Sequence, residues 1–133
     1  MLLSDKQKDL GLLILRLGLG GMFMTHGLPK MLGGPAKWAG LGGAMGHVGV
    51  HFAPTFFGFM AAFSELGGGL CLALGLFFRP ACGLLFITMA VASRMHLATG
   101  DGFGRASHAI ELGIVFFSLL LIGGGEYRVR IGR

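Results

Sequence analysis

Charge is scarce in this 133-residue chain. Asp, Glu, Lys and Arg together make up 13% of it, where a soluble domain carries about 25% to wet its surface. Hydrophobic residues make up 53%, and the mean hydropathy is +0.75. So little polar surface cannot coat a short water-soluble globule, which excludes a soluble enzyme and a disordered tail. Cysteine is also rare: Cys71 and Cys82 are the only two, with neither CxxC nor zinc-type spacing, which argues against a disulfide scaffold or a zinc module. No hydrolytic triad, phosphate loop or dinucleotide fingerprint occurs, because the Gly-rich runs lack the strand that such loops follow. Basic runs with interleaved aromatics are missing too, so the net charge of +5 and pI near 9.9 do not indicate nucleic acid. The basic residues sit mostly near the chain ends, where membrane topology accounts for them. What remains is an integral membrane protein whose first partner is the lipid bilayer.

Glycine and long apolar runs are abundant. The 26 glycines are about three times the usual share of roughly 7%, and inside apolar segments they point to helices packed backbone to backbone. Four runs suggest spans over about residues 9–27, 54–78, 80–98 and 107–124 of a single domain, 1–133. The fold expected is all-α, a four-helix transmembrane bundle. Asp5, Lys6, Lys8 and Asp9 form a mixed-sign leader with no A-x-A-like site after it, so the first run reads as a helix and not a signal peptide. Pro29, Gly33, Gly34 and Pro35 are expected to break that helix. The connection that follows is long for a compact bundle and should hold a short interfacial helix around residues 38–50. Arg79-Pro80 and Gly100-Asp101-Gly102 mark turns, and Gly123 to Gly125 close the fourth helix. Lys6, Lys8, Arg79, Arg128, Arg130 and Arg133 fall on one side, against Lys30, Lys37 and Arg105 on the other. That imbalance predicts a multi-pass protein of the inner (plasma) membrane with both termini cytoplasmic.

Polar residues inside spans are expensive and are functional candidates by default. Here they are Arg16, His26, Glu65, Arg94, His96, His108 and Glu111. Counted from the cytoplasmic helix ends, His26 and His96 stand about 25 Å up, and Glu65 and Glu111 about 21 Å. Arg94 falls in the same band. All five histidines, 26, 47, 51, 96 and 108, lie in the outer half or the first outer connection. Gly11-Leu12-Leu13 is echoed by Gly83-Leu84-Leu85, and Glu65-Leu66-Gly67 by Glu111-Leu112-Gly113. The echoes suggest two tandem helical hairpins, each with a His on its rising helix and a Glu on its falling one.

These residues resemble the DoxX family of small four-helix membrane proteins. The resemblance is carried by Leu15-Arg16-Leu17-Gly18, Phe23, His26-Gly27 and Lys30 in the first helix. It continues with Glu65-Leu66-Gly67-Gly68-Gly69, Gly75-Leu76 and Arg79-Pro80-Ala81 in the second, and then with His96, Glu111 and the closing Gly-rich turn. Gly124-Gly125-Glu126-Tyr127-Arg128 departs from the Gly-x-Gly and Ser-Leu-Asp-like tail common in the family. Members resemble the membrane subunit of an archaeal thiosulfate:quinone oxidoreductase, and others are tied to thiol and oxidative-stress systems or to quinone detoxification.

The resemblance implies a quinone-linked oxidoreductase subunit. Glu65, His96, His26 and Glu111 would handle protons, and His26, Glu65, Arg94, His96 and His108 would surround membrane quinone. Electrons would come from a protein partner, since no redox centre is encoded. The competing reading is a non-catalytic anchor or assembly subunit, with a small-solute carrier contacting anions through Arg94 and Lys30 ranked last. A homo-oligomer stays open. Glu65 could equally be bundle glue for Arg16 or Arg94, and depth favours Arg94. Haem between His26 and His96 is not expected, nor is a metal: His47 and His51 are spaced i, i+4 but supply only two ligands. His108 with Glu111 reverses the Glu-x-x-His order of di-iron bundles, so a capping role fits better. Cys71 and Cys82 stand at heights of about 12 and 4 Å, awkward for a disulfide. Phe52, Phe56, Phe57 and Phe59 form a lipid-interface belt or the mouth of a lateral entrance.

Overall fold

In a bilayer the backbone finds no water, so each long apolar run must close its own hydrogen bonds as a helix. The computed structural model describes residues 3–131, which leaves Arg133 of the charge count outside the described residues. The chain runs α1 (Asp5–Leu32), α2 (Gly34–Gly42), a 3-10 helix (Gly43–Val48), α3 (Pro54–Leu74), α4 (Phe78–Ala98) and α5 (Phe103–Ile122), with no strand among the described residues. By length and composition α1, α3, α4 and α5 are each able to cross a membrane. Ser4 starts α1 through a capping box. Its hydroxyl accepts from the Gln7 backbone N–H at 3.3 Å, while the Gln7 side-chain oxygen accepts from the Ser4 N–H at 3.0 Å.

Pro29 does not break α1, contrary to the sequence expectation; the helix passes through it to Leu32. One missing N–H is tolerated where neighbouring groups hold the freed turn. The bond forgone is that to the Thr25 carbonyl; beyond it the last turn closes on the Lys30 carbonyl, which accepts from Gly33 N–H at 3.3 Å and from Trp38 Nε1 at 3.0 Å. The reversal falls instead at Gly34, whose φ of +77° no ordinary residue adopts cheaply. The expected short helix is present but begins earlier, continues as a 3-10 turn, and packs on α3 instead of lying apart. A side-chain carbon at Gly42 would strike the Pro54 carbonyl, and one at Gly58 would strike the Trp38 carbonyl.

The tightest contact is α1 on α3. A Cβ at Gly20 would stand 2.5 Å from the Gly69 carbonyl oxygen, and one at Gly27 would collide with the Leu66 backbone nitrogen. Lipid offers no hydrophobic drive between helices, so such backbone contact supplies van der Waals attraction that larger residues would prevent. α4 packs on α5, and α3 joins the two hairpins through α4. Phe23 of α1 meets Phe116 of α5 edge to face, centroids 5.1 Å apart, inside a core that includes Leu72, Leu85 and Met89. Ile14, Ile87, Ile114 and Leu121 point outward, as lipid requires. Cys71 and Cys82 are free thiols.

Both chain ends meet at one end of the bundle, where Arg16 is the organising group. Its side chain is 1% exposed. Nε donates to the Leu72 carbonyl at 3.0 Å, Nη2 to Ala73 at 3.1 Å, and Nη1 to Gly124 at 2.8 Å and also to Tyr127. The last carbonyls of α3 lack helical donors and carry the negative end of the helix dipole, so a guanidinium answers both needs. Arg16 is thereby committed to backbone and does not pair with Glu65.

The glycine contacts predict a contrast between two conservative substitutions. Gly27→Ala should lower the thermal midpoint of the detergent-solubilised protein by several degrees or abolish folding. Gly18→Ala, with open space around it, should leave stability within about 1 kcal/mol, the helix-propensity difference between Gly and Ala.

Candidate functional site

Glu65 is the buried acid of α3, 5% exposed. Gly27 lies directly against its backbone, and one turn further along α1 stands Lys30. The Lys30 Nζ donates to both carboxylate oxygens at 2.8 Å. Glu65 therefore pairs with neither Arg16 nor Arg94, as sequence reasoning had it, but with a lysine counted as an outer-loop cation. The premise that α1 stops at Pro29 hid it. A signal was present: Arg16, Gly20, Phe23, Gly27 and Lys30 recur at spacings of 4, 3, 4 and 3, a single stripe of α1.

The ion pair opens onto a cavity of about 320 Å³ between α3 and α4, closed over by α2 and the 3-10 helix. Its walls are apolar and deformable, with Met45, Met60, Met95, Phe57, Ile87 and Val91 among them. Ser64 and Thr88 also line it, but their hydroxyls donate to the Met60 and Leu84 carbonyls at 2.7 and 2.8 Å. Beyond Lys30 and Glu65, the ionisable group of the lining is His96. Its Nδ1 lies 2.7 Å from the Asp101 Oδ2 on the turn before α5, and Thr99 Oγ1 donates to the same oxygen at 3.2 Å. The His96 hydrogen bond, assisted by that of Thr99, holds the Asp101 carboxyl below the usual carboxylate range. Asp101 orients the imidazole and leaves Nε2 as the ring nitrogen for other chemistry.

Only Glu65 and His96 of the expected polar layer share this cavity. His26 is exposed on α1, edge-on to Phe23 at 6.2 Å. Arg94, His108 and Glu111 are exposed on α4 and α5, and no ion pair among the described residues includes Arg94 or Glu111. Equal height along parallel axes says nothing about which way a side chain faces, and His26 falls off the stripe that meets α3. His26 and His96 sit on α1 and α4, which do not pack together. Among the described residues no three His, Cys, Asp or Glu side chains gather as metal ligands. Phe57 lines the cavity, whereas Phe59 packs on Trp38 at 5.1 Å.

Two outcomes follow from the ion pair and the turn. Lys30→Met should destabilise the protein by about 3–5 kcal/mol, because it strands a buried carboxylate, and the Lys30→Met/Glu65→Met double variant should recover most of that loss. Thermal melts of both proteins in one detergent check the order. Asp101 is an acid with a depressed pKa in the folded state, so its contribution is present above the unfolded value of about 3.9 and lost as pH falls below it. Melts at pH 6 should show Asp101→Asn less stable than the parent, with the difference vanishing well below pH 4.

The DoxX family model matches residues 11–98. An uncharacterized protein of Haemophilus influenzae is 32% identical over 119 residues, covering 88% of this chain and 83% of that protein. No solved structure matches. The matched segment contains Arg16, Lys30, Glu65 and His96 and so carries the ion pair and the whole cavity lining, while Gly124 and Tyr127, which help hold Arg16, and Asp101, the partner of His96, lie beyond it. With four helices apolar enough to span a bilayer and a family match over well more than half of its length, the chain belongs to the DoxX family of membrane proteins.

Proposed function

We propose that this protein is the membrane subunit of a quinone-linked redox system, seated in the inner membrane with both termini cytoplasmic and fed electrons by a protein partner. The observation that carries the reading is the lateral, Met-lined cavity into which an apolar bundle brings one cation–acid pair and one oriented histidine. The residues present fit a quinone head group. About 320 Å³ is at the lower end of ligand-pocket volumes, enough for a ring whose isoprenoid tail leaves between helices into lipid. Quinone carbonyls need donors, and the Lys30 ammonium has one N–H beyond the two that hold Glu65.

A bound quinone supplies two-electron, two-proton chemistry. The chain's part is to place charge and move protons. Lys30 stabilises negative charge at a carbonyl oxygen, and Glu65 keeps the ammonium in place and accepts or returns a proton beside it. His96 exchanges a proton at Nε2, while Asp101, on a turn outside the spans, fixes the ring and links it to water. The apolar walls exclude water from the rest of the site, which strengthens each of these interactions. His26, Arg94, His108 and Glu111 lie outside the cavity and are not needed for these steps.

The test is lipid extraction of the purified protein followed by mass spectrometry for quinone. The parent should carry about one quinone per chain, and Lys30→Met and His96→Ala should retain at least about tenfold less, equivalent to about 1.4 kcal/mol of binding. Glu65→Gln should keep the quinone yet lose turnover with the partner. Glu111→Gln should change neither. Quinone-free parent protein, or equal quinone in the parent and the Lys30 and His96 variants, would overturn the reading in favour of an anchoring subunit.

A further inference from the structure

A second cavity, of about 530 Å³, lies at the opposite end of the bundle, where the α3–α4 turn meets the chain's tail. Arg79 and Arg128 both line it and are both exposed. Among the described residues neither has a carboxylate within 4.0 Å. The acidic side chain in the lining, Glu126, is engaged elsewhere: its Oε2 accepts from Arg130 Nη2 at 2.8 Å. Behind the cavity Arg16 adds a third positive charge, four of its five N–H groups already spent on carbonyls. Gly123 and Gly125 adopt φ of +90° and +79°. Between the two arginines, the N–H groups of Gly124 and Gly125 donate to no acceptor among the described residues. The next amide, that of Glu126, donates to Asp9 Oδ1 at 3.2 Å, so this turn already presents one amide to a carboxylate at the edge of the cavity, and successive amides in such a turn form an anion-binding concavity.

The margin of the cavity is apolar. Phe77 is held at φ +45° with its ring 70% exposed, and Ile122 is 66% exposed. Both stand at helix ends, the level at which headgroups meet acyl chains. An inorganic anion would use the cationic floor alone. A phospholipid would use the floor for its phosphate and the margin for its glycerol and first methylenes.

We propose that this cavity binds a phosphate-bearing anion between Arg79, Arg128 and the Gly124–Gly125 amides, with the headgroup of an anionic phospholipid as the source that its apolar margin favours. Basic pockets at helix ends recognise such headgroups by the same combination of charge and hydrogen bonding. The site is separate from the Glu65 cavity and does not depend on the redox reading.

Native mass spectrometry of the full chain, released from detergent with added phosphatidylglycerol, phosphatidylcholine or inorganic phosphate, tests it. Phosphatidylglycerol should give one tightly held adduct, with phosphatidylcholine at least tenfold weaker. Arg79→Gln and, independently, Arg128→Gln should each weaken that adduct about tenfold. Lys6→Gln, which removes an exposed charge of α1 outside the lining, should not weaken it. If inorganic phosphate displaces the lipid adduct at micromolar concentration, the site is a phosphate site and the same arginines still define it. Equal retention of phosphatidylglycerol and phosphatidylcholine with no phosphate binding would overturn the proposal. So would a loss in Lys6→Gln as large as in the other two variants, which would mean diffuse charge attraction. Because Arg128 lies in the tail beyond the helices, its variant still probes the site even if Arg79→Gln fails to fold.

Discussion

Backbone contact between α1 and α3 is the constraint from which the rest of this bundle follows. Gly20 against Gly69 and Gly27 against Glu65 and Leu66 bring two helices closer than any pair of side chains would allow. The close approach has a chemical consequence one turn away, because it puts the flexible stem of Lys30 within reach of the Glu65 carboxylate. It also uses up one face of α3. α2 takes another through Gly58, and α4 must then pack on what is left. α3 and α4 do not seal along the half away from Arg16, and the 3-10 helix bridges the gap. The cavity is what remains when a glycine-rich helix satisfies three neighbours at once.

Much of this was legible in the residues. The four long helices follow from apolar length, and the close packing follows from glycine inside those lengths. The intramembrane acid and histidine were visible as costly residues. What failed was the assumption that a proline ends a helix. In water the residue before proline is biased away from helix and the lost hydrogen bond is severe. In a packed membrane bundle the loss of one N–H at Pro29 is tolerated, the last turn of α1 closes beyond it through Gly33 and Trp38 on the Lys30 carbonyl, and α1 carries Lys30 into the structure. Depth arithmetic failed differently. It grouped residues by height along the axis, but rotation about the axis decides contact. The stripe of Arg16, Gly20, Phe23, Gly27 and Lys30 held that information; His26 did not belong to it.

The tandem echo between the hairpins conceals a division of labour. Each half has a histidine on its rising helix and a glutamate on its falling one, yet only Glu65 from the first half and His96 from the second reach the cavity. Packing explains the difference. The first hairpin is joined by glycines whose added Cβ would strike backbone, whereas around Gly83 there is open space and at Gly113 the nearest atom is an ordinary 3.7 Å away. With larger residues between α4 and α5, the second hairpin does not repeat the approach that draws Lys30 onto Glu65. Glu111 is left facing outward.

The fate of the ionisable groups then follows from where each can find a partner or water. Arg16 and Glu65 cannot reach the surface, and each is fully engaged, one by four carbonyls and the other by both hydrogen bonds from an ammonium. His26, Arg94, His108 and Glu111 sit within a few turns of a helix end, close enough for their polar tips to bend toward the headgroups while the stems stay in lipid. Their exposure thus carries little cost and does not by itself call for a binding partner. Burial does. A carboxyl held at both oxygens by a lysine that still has one N–H to offer, beside an apolar void and an anchored imidazole, is an arrangement that packing alone would not require. An apolar pair of similar volume would hold α1 to α3 at least as well. That is why the chemical reading rests on Lys30, Glu65 and His96, and why the polar residues on the outer surface weigh little in it.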